Sequence, residues 1–272
     1  MVLEDLKSPQ LGNERDILVH LPPSYGNGRR FPVIYMHDGQ NLFDASTSFA
    51  GEWQVDETME TLGEEGIEAI IVGIPNTGKD RLDEYSPFVE SGLGGGRGDD
   101  YLRFIIQTVK PIIDANFCTR PGRENTGIMG SSMGGLISLY AFFRHPQTFG
   151  FAGAMSPAFW FARGAIYNYV RKAVFQPGKI YLDVGTREYG DIRGRMRNRS
   201  RRYCASIRRM QRLLVRKGYR PRRELLFVED RWARHEEEAW ARRYPDAVRF
   251  LLSNSTPFKR VSFKRLFSSS PF

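Results

Sequence analysis

Short, continuously apolar runs alternate along the chain with stretches in which apolar residues recur every three or four positions. The runs VIYM, AIIVGI and FAGAM fall within seven predicted strands: Asp16–Leu21, Pro32–His37, Ala69–Ile74, Gly127–Gly130, Phe151–Met155, Lys179–Gly185 and Leu225–Glu229. A strand without polar alternation is one covered on both faces. Helices are predicted between them near Glu52–Gly63, Asp100–Phe117, Met133–Arg144, Ser200–Lys217 and His235–Ser253. In the fourth of these Tyr203, Ile207, Met210 and Leu214 form one apolar stripe, with Gly218 as a C-terminal stop. Strand and helix in alternation predict an α/β fold, a mostly parallel central sheet flanked by helices.

Two segments break the pattern. The Gly-rich stretch SGLGGGRGDD (91–100) reads as a flexible surface loop that feeds a helix starting at Asp99 or Asp100. The last twenty residues, 253–272, carry four basic residues, no acid and a repeated Phe-Lys-Arg, and read as a disordered tail. Residues 1–252 are therefore expected to form the folded domain. Charge and apolar insertion would give the tail no more than a marginal membrane-surface role beside an inert one.

Composition adds bounds. At 272 residues, 41% hydrophobic and 26% charged, the chain suits one sizeable core and excludes collagen-like, coiled-coil or wholly disordered classes. No window approaches the length of a transmembrane helix. MVLEDLKSPQ lacks the basic start and apolar stretch of a signal peptide, so a cytoplasmic location is expected. Cys118 and Cys204 have no metal-ligand or disulfide-framework spacing. The net charge of +9 is concentrated: residues 191–223 hold thirteen Arg, one Lys and one acid, which leaves the remainder about −4.

The chemistry centres on IMGSSMGGLISLYAFF (128–143). Gly130 and Gly134 flank Ser132 in G-x-S-x-G between a predicted strand and an apolar helix, the setting of a nucleophile elbow. Ser131 is excluded because Met129 occupies its upstream glycine position. A serine nucleophile needs a base, and in this fold the order is serine, acid, histidine. Of four histidines, His20 and His37 precede the serine and His145 ends its helix, which leaves His235. The acid belongs just past the strand in YLDVGTREYGD: Glu188 is favoured, with Asp183 and Asp191 as rivals. The oxyanion donors are expected to be the N–H groups of Met133, next to the nucleophile, and Gln40, in HDGQNLFD after an early strand.

These blocks in this order resemble the "Putative esterase" family, the esterase D/enterochelin-esterase-like branch of the α/β hydrolases, over roughly residues 8–252. SPQLGNERDILVHLPPSY is similar to its opening strand and Leu-Pro-Pro turn. VIYMHDGQNLFD, EYSP, GSSMGGLISLYAFFRHPQTFG and MSPAFW are similar to its later blocks, YLDVGTRE to its acid strand and HEEEAW to its histidine block. The resemblance implies Ser132 as nucleophile, Glu188 as acid, His235 as base, and Gln40 and Met133 as oxyanion donors. Where the family has a short Gly-rich turn before its histidine, this chain has Glu229-Asp230-Arg231-Trp232-Ala233-Arg234.

The expected function is a serine carboxylester hydrolase acting through an acyl-enzyme on a small-molecule ester, without metal or organic cofactor. The aromatic residues of 157–178 either cover the site and favour an apolar group, or pack the core. The same machinery would also serve an acyltransferase. A third reading is a non-catalytic hydrolase scaffold that binds a polyanion through arginines 191–223, although no nucleic-acid module is visible.

Overall fold

The computed structural model describes residues 1–48, 50–190 and 194–253. In chain order its elements are β1 (Val2–Ser8), β2 (Asn13–His20), β3 (Val33–His37), α1 (Val55–Glu64), β4 (Ile70–Ile74) and α2 (Arg81–Glu84). Next come β5 (Val89–Glu90), β6 (Gly94–Gly95), α3 (Gly98–Phe104), α4 (Lys110–Asn116), β7 (Thr126–Ser131) and α5 (Met133–Arg144). The chain then runs through β8 (Phe151–Met155), α6 (Phe161–Lys172), β9 (Lys179–Gly185), α7 (Gly194–Lys217), β10 (Leu225–Asp230) and α8 (Glu237–Leu252).

Eight strands form one sheet in the order β1-β2-β4-β3-β7-β8-β9-β10. The six from β4 to β10 pair parallel, and β1 and β2 add an antiparallel edge. Both faces are covered, and the apolar runs divide by their period of two. In β3, Val33 and Tyr35 join the core under α3 to α7, whereas Ile34 and Met36 join the core under α1 and α8. In β4, Ile70, Val72 and Ile74 face the first layer and Ile71 the second. Each such buried side chain contributes about 1.5–3 kcal/mol. All seven predicted strands are present.

Two elements lie outside the predicted set, and two expectations need correction. β1 was not predicted because six of its seven residues are not fully buried, and a bulge between Leu3 and Leu6 breaks its alternation. α6 was not predicted either: its first turn is kinked, with Ala162, Arg163 and Gly164 in left-handed geometry, and only Phe161, Ile166, Tyr167 and Val170 are buried. The Gly-rich stretch is no free loop. Gly94–Gly95 pairs with Val89–Glu90, the Gly95 N–H donates to Asp83 at 2.6 Å, and the helix begins at Gly98. His235 lies outside the last helix, which starts at Glu237.

The expected stripe of α7 is buried: Tyr203, Ile207, Met210 and Leu214, joined by Ser200 and Cys204. Its arginines face outward. Of 191–223, residues 191–193 lie outside the described residues, as does the predicted tail beyond Ser253. No helix among the described residues is long and apolar enough to cross a membrane.

Candidate active site

The C-terminal ends of the parallel strands converge on one cavity of about 770 Å³. β7 delivers Ser132, which has φ 54° and ψ −116°. Such geometry costs a non-glycine residue on the order of 1–3 kcal/mol and persists only where the surroundings impose it. Here Ser132 N donates to Met155 O at 2.9 Å, while Ser132 O accepts from Ala158 N at 2.8 Å and Leu136 N at 3.1 Å. Gly130 is required by crowding: a Cβ there would lie 2.8 Å from the His37 ring and 3.1 Å from the Gly134 backbone.

His37 therefore underpins the turn. It is buried, its Nδ1 lies 2.8 Å from the Tyr101 hydroxyl, and burial pulls its pKa down to about 3, so it stays neutral. Burial lowers His20 and His145 too.

Across the cavity His235 and Glu188 meet. Nδ1 of His235 is 2.5 Å from Glu188 Oε2, and the imidazole stands edge-to-face between Tyr203 and Trp240. Glu188 is buried, and its Oε1 accepts from Ser156 Oγ at 2.7 Å and Gly185 N at 2.5 Å. The unusual loop before the histidine is laced to the acid loop. Thr186 N donates to Asp230 O, Arg187 N to Ala233 O, Trp232 N to Thr186 Oγ1 and His235 N to Glu188 O. Trp232 itself is 52% exposed and stacks on Arg187, outside the residues lining the cavity.

Ser132 and His235 line the same cavity, although no hydrogen bond joins the hydroxyl to the imidazole. In free enzymes such contacts are often long and tighten with substrate. Asp183 is engaged elsewhere: its carboxylate accepts from Arg243 Nε at 2.8 Å, Ser156 N at 2.8 Å and the Tyr181 hydroxyl at 3.1 Å. Burial pushes its pKa up against the pull of Arg243. Asp191 lies outside the described residues.

Gln40 sits in a single turn after β3, entered through Asp38 in the left-handed region. Gly39 is the second glycine that crowding demands, since a Cβ would approach the Gly73, Ile74 and Pro75 backbone to 2.7 Å. The side-chain oxygen of Gln40 accepts from Asn76 N at 3.2 Å. Among the described residues, the N–H groups of Gln40 and Met133 have no acceptor. For Met133 this follows from its place at the start of α5, where helix amides lack intrahelical partners.

Sequence reasoning missed three groups. Arg81 grips Asp38 with Nε and Nη2 at 2.7 and 2.8 Å, and Asn76 adds a bond at 2.7 Å. Burial acts to raise the Asp38 carboxyl, but Arg81 and Asn76 outweigh it and hold it low. Arg243 reaches Asp183, Asp230 and Ser156 Oγ, and so braces the support of Glu188. Its position among Ala239, Trp240, Tyr244 and Ala247 on the apolar stripe of α8 was a legible sign of a buried cation.

The third is Glu237, which lines the cavity. Burial, with the Asp38 charge adding to it, pushes its pKa up to about 6 while His235 and Arg81 pull the other way. A raised carboxyl contributes stability below its unfolded pKa and loses it as pH rises through the folded value. Glu237→Gln is therefore expected to gain on the wild type between about pH 4.5 and 7. The gain in Tm should reach about 2–4 °C, the effect of about 1 kcal/mol once partial exposure is discounted. Thermal unfolding across that range checks this, and a pH-independent difference contradicts it.

The layered sheet and the turn that carries Ser132 mark the chain as an α/β hydrolase. Residues 8–251 match the profile of the family described as Putative esterase; the chain belongs to that family and is a carboxylic ester hydrolase. It is 26% identical over 255 residues to the uncharacterized protein YbbA of Bacillus subtilis, covering 90% of this chain and 95% of YbbA. It is 27% identical over 213 residues, 68% of each chain, to a siderophore enterobactin esterase of Emericella nidulans. Among solved structures, the siderophore hydrolase EstA from Aspergillus nidulans superposes with a TM-score of 0.70 at 21% identity, covering 92% of this chain and 93% of EstA. The BES protein from Bacillus cereus gives 0.70 at 19% identity over 93% and 95%. These two likenesses show the fold.

Proposed function

We propose that the protein is a serine esterase that cleaves carboxylic esters through an acyl-enzyme. The observation that carries this is the 2.5 Å contact between His235 Nδ1 and Glu188. It leaves Nε2 as the ring nitrogen available to the cavity that Ser132 also lines. In this reading Ser132 Oγ attacks the ester carbonyl and its proton passes to His235 Nε2. Glu188 holds the tautomer with hydrogen on Nδ1 and stabilises the imidazolium. The N–H groups of Met133 and Gln40 stabilise the oxyanion, each such donor typically being worth about 10²–10³ in turnover. The imidazolium protonates the departing alcohol, and water then releases the acid by the same steps in reverse.

Relationship to a siderophore esterase makes siderophore esters the first natural substrates to try, beside a p-nitrophenyl acyl-length series. The decisive test is reaction with a fluorophosphonate followed by peptide mass spectrometry. One adduct per chain on Ser132, together with hydrolysis of at least one ester, is expected. An unlabelled and inert protein, or an adduct elsewhere, overturns the assignment. Product analysis with sugar or lipid alcohols present reports whether water or an alcohol receives the acyl group.

A further inference from the structure

A smaller cleft of about 220 Å³ is lined by Trp160, Tyr189, Arg199, Arg202, Tyr203 and Ser206. Its inner wall is Tyr203, whose ring packs 5.5 Å from that of His235 and whose hydroxyl donates to Ser156 O. Tyr189 follows Glu188 directly. Trp160 stands two residues beyond Ala158, whose N–H holds the Ser132 carbonyl, so the backbone that carries the rim is bonded to the serine turn. Trp160 is 48% exposed, a large indole left at the rim while Phe159 and Phe161 on either side are buried.

Four of the lining residues (199, 202, 203 and 206) fall at helical spacing on one face of α7. The two arginines differ from others nearby. Arg208 is paired with Glu229 and Arg220 with Glu224, whereas Arg199 and Arg202 have no carboxylate partner among the described residues. Arg199 instead lies flat over the Tyr189 ring, 4.5 Å from its centre. Tyr189's hydroxyl has no hydrogen-bond partner among the described residues either. The neighbouring carboxylate of Glu188 is engaged by Ser156, Gly185 and His235.

Flat apolar walls with two unpaired guanidinium groups at the mouth suit a flat apolar ligand that ends in negative charge. Aromatic faces take a ring, and arginine forks take a carboxylate. A cavity of about 150 Å³ already accepts benzene, so the volume matches one substituted ring. We propose that this cleft is a specificity subsite for an aryl group bearing an anionic substituent, carried on the ester that Ser132 cleaves. The proposal rests on the serine-esterase reading and names its substrate class.

Two measurements test it. The first is kcat/KM for the p-nitrophenyl esters of phenylacetate and 4-carboxyphenylacetate, beside p-nitrophenyl acetate. The wild type should prefer the carboxylated ester by about tenfold, the size of one good charge-assisted contact. That ratio should collapse towards one in Arg199→Gln/Arg202→Gln, and persist in Arg197→Gln/Arg201→Gln, which removes equal charge from the same helix outside the cleft. A preference for the neutral ester, or equal loss in both double variants, overturns the subsite.

The second measurement does not depend on turnover. Quenching of tryptophan fluorescence by 4-carboxyphenylacetate should be saturable in the wild type, lose most of its amplitude in Trp160→Phe, and weaken about tenfold in Arg199→Gln/Arg202→Gln. Saturable quenching with no ester turnover would reject the serine-esterase reading and leave the aryl-anion site standing. Turnover of p-nitrophenyl acetate with no saturable quenching would do the reverse.

Discussion

Ser132→Ala is expected to lower kcat/KM for ester hydrolysis by at least about 10⁴-fold while leaving the unfolding temperature within about 2 °C of wild type. The two halves of this expectation have separate causes. The hydroxyl is the attacking group in the proposed mechanism, and alanine carries none. Residual activity would come from binding and the oxyanion donors alone, which in serine hydrolases leave about 10³–10⁴ over water. Stability should hold because the hydroxyl makes no hydrogen bond among the described residues, and the turn is fixed by backbone bonds to Met155, Ala158 and Leu136. Alanine at φ 54° is as strained as serine. Ser132→Gly should be equally inactive yet more stable, since glycine adopts positive φ without steric cost. Parallel kinetics and calorimetry on the three proteins check this. An active Ser132→Ala protein would sink the mechanism; an inactive, unfolded one would show that the serine is structural.

The second large effect is structural. Arg243→Leu is expected to destabilise the protein by about 3–5 kcal/mol, because it leaves the Asp183 carboxylate buried without its cation. That corresponds to a fall in Tm of roughly 6–20 °C for a domain of this size. Arg243 and Asp183 are both buried, and the guanidinium also reaches Ser156 Oγ, the donor to Glu188. Loss of the arginine should therefore loosen the acid and lower turnover even in the folded fraction. Asp183→Asn in the same chain should recover much of the stability, because a neutral amide costs far less to bury than an unpaired carboxylate. Urea unfolding of both single variants and the double variant gives the coupling energy. Additive losses would mean that the pair is not what stabilises this end of the sheet.

Much of the frame was readable because burial on both faces writes itself as uninterrupted apolar runs. Phe151–Met155 and Ile70–Ile74 are fully buried, and no other local pattern competes for such segments. Where burial is partial the signal thins. β1 presents VLEDLKS with only Ser8 fully covered, and α6 opens with three left-handed residues that no periodicity encodes. At the candidate site, the G-x-S-x-G turn and the elimination of three histidines were local matters. The contact between Glu188 and His235 spans 47 positions, yet strand order alone puts the ends of β9 and β10 side by side. The pairings of Arg81 with Asp38 and of Arg243 with Asp183 were not readable, because residues 43 or 60 positions apart do not name their partners, although the place of Arg243 on the apolar stripe of α8 marks it as buried. Asp183 shows the ambiguity: a carboxylate at a strand end looks the same in sequence whether it orients a histidine or neutralises an arginine.

The crowding at Gly39 and Gly130 has a consequence for redesign of the enzyme. Each sits where backbone or ring leaves no room for a methyl group, so the floor of the cavity tolerates no drift. Thr47, Ala50 and Asn76 line the same cavity from its loops, but Thr47 donates to Gln40 O and Asn76 bonds to Asp38 and to the Gln40 side chain, which leaves Ala50 for variation. A library that varies Ala50 and freezes the two glycines would alter what the enzyme accepts without disturbing the turn that presents Ser132. Selectivity in this scaffold can thus be rewritten from the walls, on a floor that stays constant.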